Sequence, residues 1–187
     1  MNVILASQSP RRRELMALVH TPFAVVVPHA DETMDPNRDP AEQVALVSRR
    51  KAEAIEASED DVVVAADTIV VCDGRILGKP KTEAEAAAML AMLSDRDHRV
   101  MTGLTVRRGA RYLTHTEVTR VFFRPLTPAE ISDYVASGDP MDKAGSYGIQ
   151  SGAAKFVCRI EGDYFNVVGL PVCRLSLLLK QLTEESL

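Results

Sequence analysis

The chain has 187 residues, 46% of them apolar and 26% charged, with a formal net charge of −4. That length suits one domain or two small lobes sharing a core; the acidic balance argues against a broad nucleic-acid-binding surface, and the absence of tryptophan argues against a base-stacking single-strand binder. Cys72, Cys158 and Cys173 are odd in number, widely spaced and outside any C-x-x-C arrangement, which indicates neither a disulfide framework nor a zinc site; with no signal-peptide pattern and no stretch near the ~20 apolar residues of a membrane span, a reducing, cytoplasmic compartment is expected.

Asn2 to Ala6 predicts a first short strand. Ser9 then stands as an N-cap with Pro10 at the first helical position, and Leu15, Leu18 and Val19 give the stripe of a helix. Its first turn carries Arg11, Arg12 and Arg13, the wrong charge for a helix N-terminus. Two readings stand: a phosphate chain or other anion relieves the conflict, or three solvated arginines tolerate it at a few tenths of a kcal/mol each, roughly. Phe23 to Val27 predicts a second strand, followed by a polar loop to Asp39. Within it Asp31 and Glu32 are either a metal-facing acidic pair or solvated loop charges.

Asp39-Pro40-Ala41-Glu42 has the pattern of a capping box, opening a helix that is expected to run to about Ser58. Val44, Lys51 and Ile55 fall on one line of it, whereas Arg49 and Arg50 fall off that line. Lys51 therefore either snorkels out of an apolar stripe or points inward at a cleft. Val62 to Ala66 reads as a strand buried on both faces, ending abruptly in Asp67. Ligand crevices in open α/β sheets lie beyond the carboxyl ends of strands, so Asp67 is either placed for chemistry or caps the strand.

Thr68 to Cys72 and Arg75 to Leu77 flank Asp73-Gly74, a strong hairpin signal. Thr82-Glu83-Ala84-Glu85 opens another helix, and Ser94 to Arg99 reads as a polar loop in which His98 could contact a ligand. Val100 to Arg107 and Glu117 to Phe123 read as strands around a loop near Gly109, and Thr127-Pro128-Ala129-Glu130 caps a helix that stops at Gly138. After a polar loop from Asp139 to Gln150, strands are expected at Ala154 to Ile160 and Tyr164 to Val168, then a helix from about Arg174 to Leu182. Hairpins interrupt any plain βαβ series, so a partly antiparallel, elongated α/β sheet fits better than a doubly wound one.

The phosphate-loop, dinucleotide, nucleophile-elbow and H-E-x-x-H motifs are absent. What remains is a polyanion site: arginines at a helix start, two interior-looking lysines (Lys51 and Lys79) and several carboxylates. Cations can hold a phosphate chain, and carboxylates can hold a metal ion and take a proton from water. The residues alone point to a hydrolase or transferase acting on a phosphorylated small molecule.

The order of short motifs resembles that of the Maf family. Ala6-Ser7-Gln8-Ser9-Pro10-Arg11-Arg12, Lys51-Ala52, Ala65-Ala66-Asp67-Thr68-Ile69-Val70 and Gly78-Lys79-Pro80 occur in its sequence. So do His98-Arg99-Val100-Met101-Thr102-Gly103, Asp142 to Gln150 (Asp-Lys-Ala-Gly-Ser-Tyr-Gly-Ile-Gln) and Gly169-Leu170-Pro171. The resemblance spans nearly the whole chain as a single Maf-like domain. It implies an inosine-triphosphatase-like α/β fold: an elongated mixed sheet flanked by helices in two lobes with a central cleft. It also implies a homodimer and a nucleoside-triphosphate pyrophosphatase that needs a divalent metal, Mg2+ or Mn2+.

By the same resemblance Asp67 is the proton acceptor, Glu32 with Asp67 serves the metal, and Lys51 and Lys79 face the phosphates. Ser7 and Arg12 are implied in substrate binding, and Arg11, Thr68 and Gln150 match the specificity positions of the branch acting on dTTP and UTP. A glutamine amide both donates and accepts, as the N3–H and carbonyl edge of uracil or thymine requires. The 7-methyl-GTP branch tends to carry Ser-Glu-Gly where this chain has Tyr-Gly-Ile-Gln, and Ser151 follows Gln150 where the family often has glycine. The family's association with septum formation leaves a non-catalytic, nucleotide-binding regulator of cell division as the alternative from another class.

Overall fold

The computed structural model describes residues 2–35 and 37–184. In chain order the elements are β1 (Val3–Ala6), α1 (Pro10–Ala17), β2 (Ala24–Val26), α2 (Pro40–Glu53), β3 (Val62–Cys72), β4 (Arg75–Leu77), α3 (Glu83–Leu93), β5 (Asp97–Arg108), β6 (Arg111–Phe123), α4 (Pro128–Ala136), β7 (Val157–Glu161), α5 (Tyr164–Val168) and α6 (Val172–Glu184). Short 3-10 turns occupy Asp139–Asp142, Ala144–Ser146 and Gly152–Phe156. The strands form one mixed sheet in the order β2-β1-β3-β5-β6-β7, with β4 also on β3. β1 is parallel to β2 and β3, while β4 is antiparallel to β3 and β7 to β6. This is the mixed α/β sheet that the alternation of hairpins and helices predicts.

The chain divides into two compact units, Met1–Asp67 with Thr102–Glu117 and Gly169–Leu187, and Thr68–Met101 with Val118–Val168. The first is built on the apolar strand β1 and the first half of β3, both buried. Ile4 lies opposite Val63 and Ala6 opposite Ala65, and Ala52 of α2 with Ile55 just beyond the helix end completes this core. Alanines at the contacts let the helix backbone come close. On β5 the same economy of side chain is absolute: a Cβ at Gly103 would collide with the Val44 carbonyl oxygen of α2. The start of α2 is fixed by Pro40 at its first position and by the Asp39 carboxylate, which accepts from the Ala41 and Glu42 amides at 2.8 and 3.2 Å.

The second unit packs Phe123, Tyr147 and His98 edge to face, with ring centroids 4.9–5.2 Å apart. Phe156 and Tyr134 extend the set at 5.4 Å, an arrangement aromatic quadrupoles favour. Thr127 and Glu130 form the expected reciprocal capping box on α4, and Gly138, at φ +75°, ends that segment in the left-handed region.

Several expectations are corrected. β3 does not stop at Asp67 but continues unbroken to Cys72. α2 ends at Glu53, short of Ser58, although Ile55 beyond it is still buried. β6 begins at Arg111, because Gly109 at φ +53° allows a tight turn with Ala110 where a longer loop was expected. Tyr164 to Val168 is a helical turn, not a strand. Gly162 at φ +123° redirects the chain and the Asp163 carboxylate accepts from the Phe165 amide at 2.8 Å; a five-residue apolar run does not discriminate between the two. Ala154 to Phe156 belongs to a 3-10 turn, with the strand beginning at Val157.

His98 lies inside β5 and is buried, not in a polar loop. Its Nε2 is 2.8 Å from the Tyr147 hydroxyl, and its Nδ1 is buried without a hydrogen-bond partner. Burial pushes the ring down to about 4, against the weaker opposing pull of Asp97. As pH falls, the unfolded ring takes up its proton first. The stability of the neutral ring is therefore complete above an ordinary histidine value of ~6.5 and is lost progressively as pH falls toward about 4. In an NMR titration the His98 ring resonance is expected to keep its neutral position until pH approaches about 4; a midpoint near the ordinary value of ~6.5 would contradict burial as the cause.

Candidate active site

Asp67 owes its position to the parting of two ladders on β3. β1 pairs with β3 only as far as Ala65, and β4 joins it only from Val70. Asp67 therefore sits just past the carboxyl end of β1 while still inside β3. The crevice rule for α/β sheets applies to it through β1, not through its own strand. Alternation along β3 puts Asp67 on the face of Val63 and Ala65, the face that Ala52 of α2 and Ile55 just beyond it cover.

Lys51, one residue before Ala52, reaches the same place. Its Nζ donates to Asp67 Oδ1 at 2.7 Å and meets Glu32 Oε2 at 3.0 Å. The Lys51 and Asp67 side chains are only 9% and 12% exposed, so this is a desolvated pair, in which each charge depends on the other. The inward reading of Lys51 holds, and its neighbours Arg49 and Arg50 are exposed as their helix positions predict. Glu32 is 59% exposed and enters the group from the loop before α2.

That loop is fastened to α2 by side chains the sequence did not single out. Arg50 donates to the Thr33 carbonyl at 3.2 Å and lies 3.8 Å from the Asp31 carboxylate. The buried Gln43 binds the backbone of Asp35 through both ends of its amide. Asp31 and Glu32 are thus not one acidic pair: Asp31 turns to Arg50 and Thr33, and hydrogen bonding first with the Thr33 side chain and then with its amide holds the Asp31 carboxyl below the usual range, while Glu32 turns to Lys51. The legible signal was Gln43 itself, which falls four and eight residues before Val47 and Lys51, a polar side chain on the buried line of the helix.

Arg12 closes the group from α1. Its Nε donates to the Gly169 carbonyl and its Nη1 to the Ala66 carbonyl, each at 2.8 Å. Burial pushes its guanidinium down from the ordinary value, Asp67 and Glu32 pull it up, and Arg11 adds to the downward push. Arg12 therefore ties the start of α1 to the residue preceding Asp67 and feels both carboxylates. Arg11 is half-buried and Arg13 exposed. Ser7 is buried, and its hydroxyl accepts from the Ser9 amide at 3.1 Å, shaping the turn from β1 into α1.

The other residues that the resemblance implicates lie in the second unit. Thr68, half-buried, follows Asp67 on β3. Lys79, expected to face inward, is exposed in the segment between β4 and α3, although Pro80 beside it is buried. Gln150 is exposed at a turn closed by the Ser151 amide donating to the Gly148 carbonyl at 3.2 Å.

Among the described residues no group of three or more His, Cys, Asp and Glu side chains is arranged to hold a metal ion. Asp67 and Glu32, gathered on one ammonium, are a two-carboxylate donor set. That matches the way Mg2+ is held by one or two carboxylates together with substrate phosphates rather than by a cage of protein ligands. Among the described residues no helix is long and apolar enough to cross a membrane.

Comparison with known proteins agrees with the fold and with the motif order. Over 97% of this chain and 99% of theirs, two solved structures superpose at low sequence identity: the Ham1 protein of Staphylococcus aureus, TM-score 0.52 and 13% identical, and a HAM1 protein from Coxiella burnetii, TM-score 0.50 and 18% identical. These likenesses concern the fold. In sequence, the chain is 50% identical over 181 residues to a protein of Geobacillus sp. (strain WCH70) named dTTP/UTP pyrophosphatase, covering 96% of this chain and 97% of that one. It is also 50% identical over 181 residues to a protein of the same name from Moorella thermoacetica, covering 95% and 93%. The family model described as Maf-like protein matches residues 2–182, and the chain belongs to that family.

Proposed function

We propose that this chain hydrolyses dTTP and UTP, and modified pyrimidine nucleotides of the same edge, to the monophosphate and pyrophosphate. The observation that carries it is the buried Lys51 ammonium held between Asp67 and Glu32 just past the end of β1, in a chain half identical to proteins named for that reaction. Asp67 accepts the proton of a water whose oxygen bonds to the α-phosphorus; the bond from that phosphorus to the bridging oxygen breaks, and pyrophosphate leaves with the electron pair. Lys51 orients the Asp67 carboxylate. Arg12, Lys79 and Ser7 serve the phosphate chain by charge and hydrogen bonding, while Arg11, Thr68 and Gln150 serve recognition of the nucleoside. A divalent cation, Mg2+ or Mn2+, bound by Asp67 and Glu32 would supply neutralisation of the phosphate charge.

The same reading takes the protein to be a cytoplasmic homodimer with no nucleic-acid partner, clearing excess or damaged nucleotides; the free state of Cys72, Cys158 and Cys173 is consistent with a reducing compartment. The test is release of pyrophosphate from dTTP, UTP, GTP and 7-methyl-GTP, with Mg2+, with Mn2+ and with EDTA. Metal-dependent release from dTTP and UTP is expected. Preference for 7-methyl-GTP would move the chain to the other branch, and tight nucleotide binding without release would make it a regulator.

Base reading has its own test. Gln150→Glu replaces an amide that donates and accepts by a carboxylate that only accepts. It is expected to lower kcat/KM for dTTP and UTP roughly tenfold relative to GTP, since a hydrogen bond to the base that is lost on substitution is worth about 0.5–1.5 kcal/mol. An unaltered substrate profile would show that Gln150 does not read the base.

A further inference from the structure

Gln150 has no bulk of its own holding it in place: it is exposed at the tip of a turn. What holds the turn is a set of hydrogen bonds on either side of it. The Gly148 amide donates to the Tyr134 hydroxyl at 3.0 Å, and that hydroxyl donates to Asp139 Oδ2 at 2.6 Å. On the other side the Ser151 hydroxyl donates to the same Oδ2 at 2.5 Å. Lys143 closes the base of the loop, donating to the Asp139 carbonyl at 2.6 Å, to Asp139 Oδ1 at 3.0 Å and to Asp142 Oδ1 at 2.7 Å.

Tyr134 is buried against Phe156 on α4. Burial and the neighbouring Asp139 push its phenol up, so it stays a hydrogen-bond donor. Hydrogen bonds from Ser151, Tyr134 and Lys143 hold the Asp139 carboxyl below its ordinary range, against the opposing effect of burial, so it stays an acceptor. One carboxylate oxygen therefore receives the Ser151 hydroxyl from one flank of the Gln150 turn and the Tyr134 hydroxyl that holds Gly148 on the other.

We infer that Asp139, Tyr134 and Ser151 form a clasp that positions Gln150, and that Ser151 is a specificity-determining positioning residue. The inference rests on the proposed role of Gln150 in reading the base. An exposed amide discriminates between bases only when its backbone is fixed; released, it rotates to suit either edge, and selectivity falls while the cleavage machinery is untouched. None of the clasp residues belongs to the Glu32–Lys51–Asp67 group.

The experiment compares Ser151→Ala, Ser151→Thr, Tyr134→Phe and Gln150→Ala in the full chain, measuring kcat and KM separately for dTTP and GTP. Threonine keeps the hydroxyl and suits the extended φ of −122° at this position. Ser151→Ala is expected to lower the dTTP-over-GTP ratio of kcat/KM roughly five- to tenfold, the factor one hydrogen bond commands. The loss falls in KM with kcat for dTTP kept. Tyr134→Phe goes the same way, and Ser151→Thr restores the ratio, which a merely structural role would not produce. If Gln150→Ala flattens the ratio but Ser151→Ala and Tyr134→Phe leave it intact, the clasp is overturned while base reading by Gln150 survives. If Gln150→Ala leaves the ratio intact, base reading falls and the clasp falls with it.

Discussion

Asp67→Asn is expected to lower kcat for dTTP by roughly 100- to 10,000-fold, the range a positioned general base supplies, with nucleotide binding retained. Asparagine has the shape of the native side chain and can still accept from Lys51, so the fold around β3 persists, but an amide cannot take a proton from water. Lys51 also keeps Glu32 at 3.0 Å, and the ammonium is not left alone. Single-turnover cleavage and an equilibrium titration with dTTP, run on the same preparation, separate the two effects. Turnover equal to that of the unaltered chain would remove Asp67 as the base.

Lys51→Met carries the larger cost to stability. It strips the partner from a carboxylate whose side chain is only 12% exposed, and breaking one side of a buried pair costs about 3–5 kcal/mol. For a chain of this length that is a fall in Tm of about 10 °C. Asp67→Asn is expected to cost far less, because Glu32 and the asparagine oxygen still serve Lys51. The double variant Lys51→Met with Asp67→Asn is expected to recover part of the loss, since no unpaired charge remains buried. Urea denaturation of the three variants checks the order. A Lys51→Met protein as stable as the unaltered chain would mean that the pair is solvated in solution and that Lys51 does not hold Asp67.

Helix periodicity put Lys51 on one line with Val44, which is core, but it left open whether the ammonium snorkels out or points inward; the partners Asp67 and Glu32 decide that. The apolar run before Asp67 likewise told of a strand buried on both faces. What it could not tell was that the strand continues, since a carboxylate ends an apolar pattern whether or not the backbone ladder changes partner. That change of partner, from β1 to β4, is a property of three segments together, and it leaves Asp67 between the two ladders.

The separation of Asp31 from Glu32 was hidden for a similar reason. Loop charges have no periodicity, and their directions are set by Arg50 and Lys51 on the neighbouring helix. The hydrogen bonds that Arg12 donates to two backbone carbonyls are contacts that leave no trace in side-chain pattern. Lys79, read from the sequence as interior, is exposed while Pro80 beside it is buried, an alternation that a segment without helix or strand periodicity does not reveal.

The most direct test of the central claim, that a water activated at Asp67 attacks the α-phosphorus, is hydrolysis of dTTP in water enriched in heavy oxygen, followed by mass analysis of both products. The label is expected in the thymidine monophosphate, with pyrophosphate unlabelled. Label in the pyrophosphate would place the attack on the β-phosphorus and contradict the assignment of Asp67 to the α-phosphate.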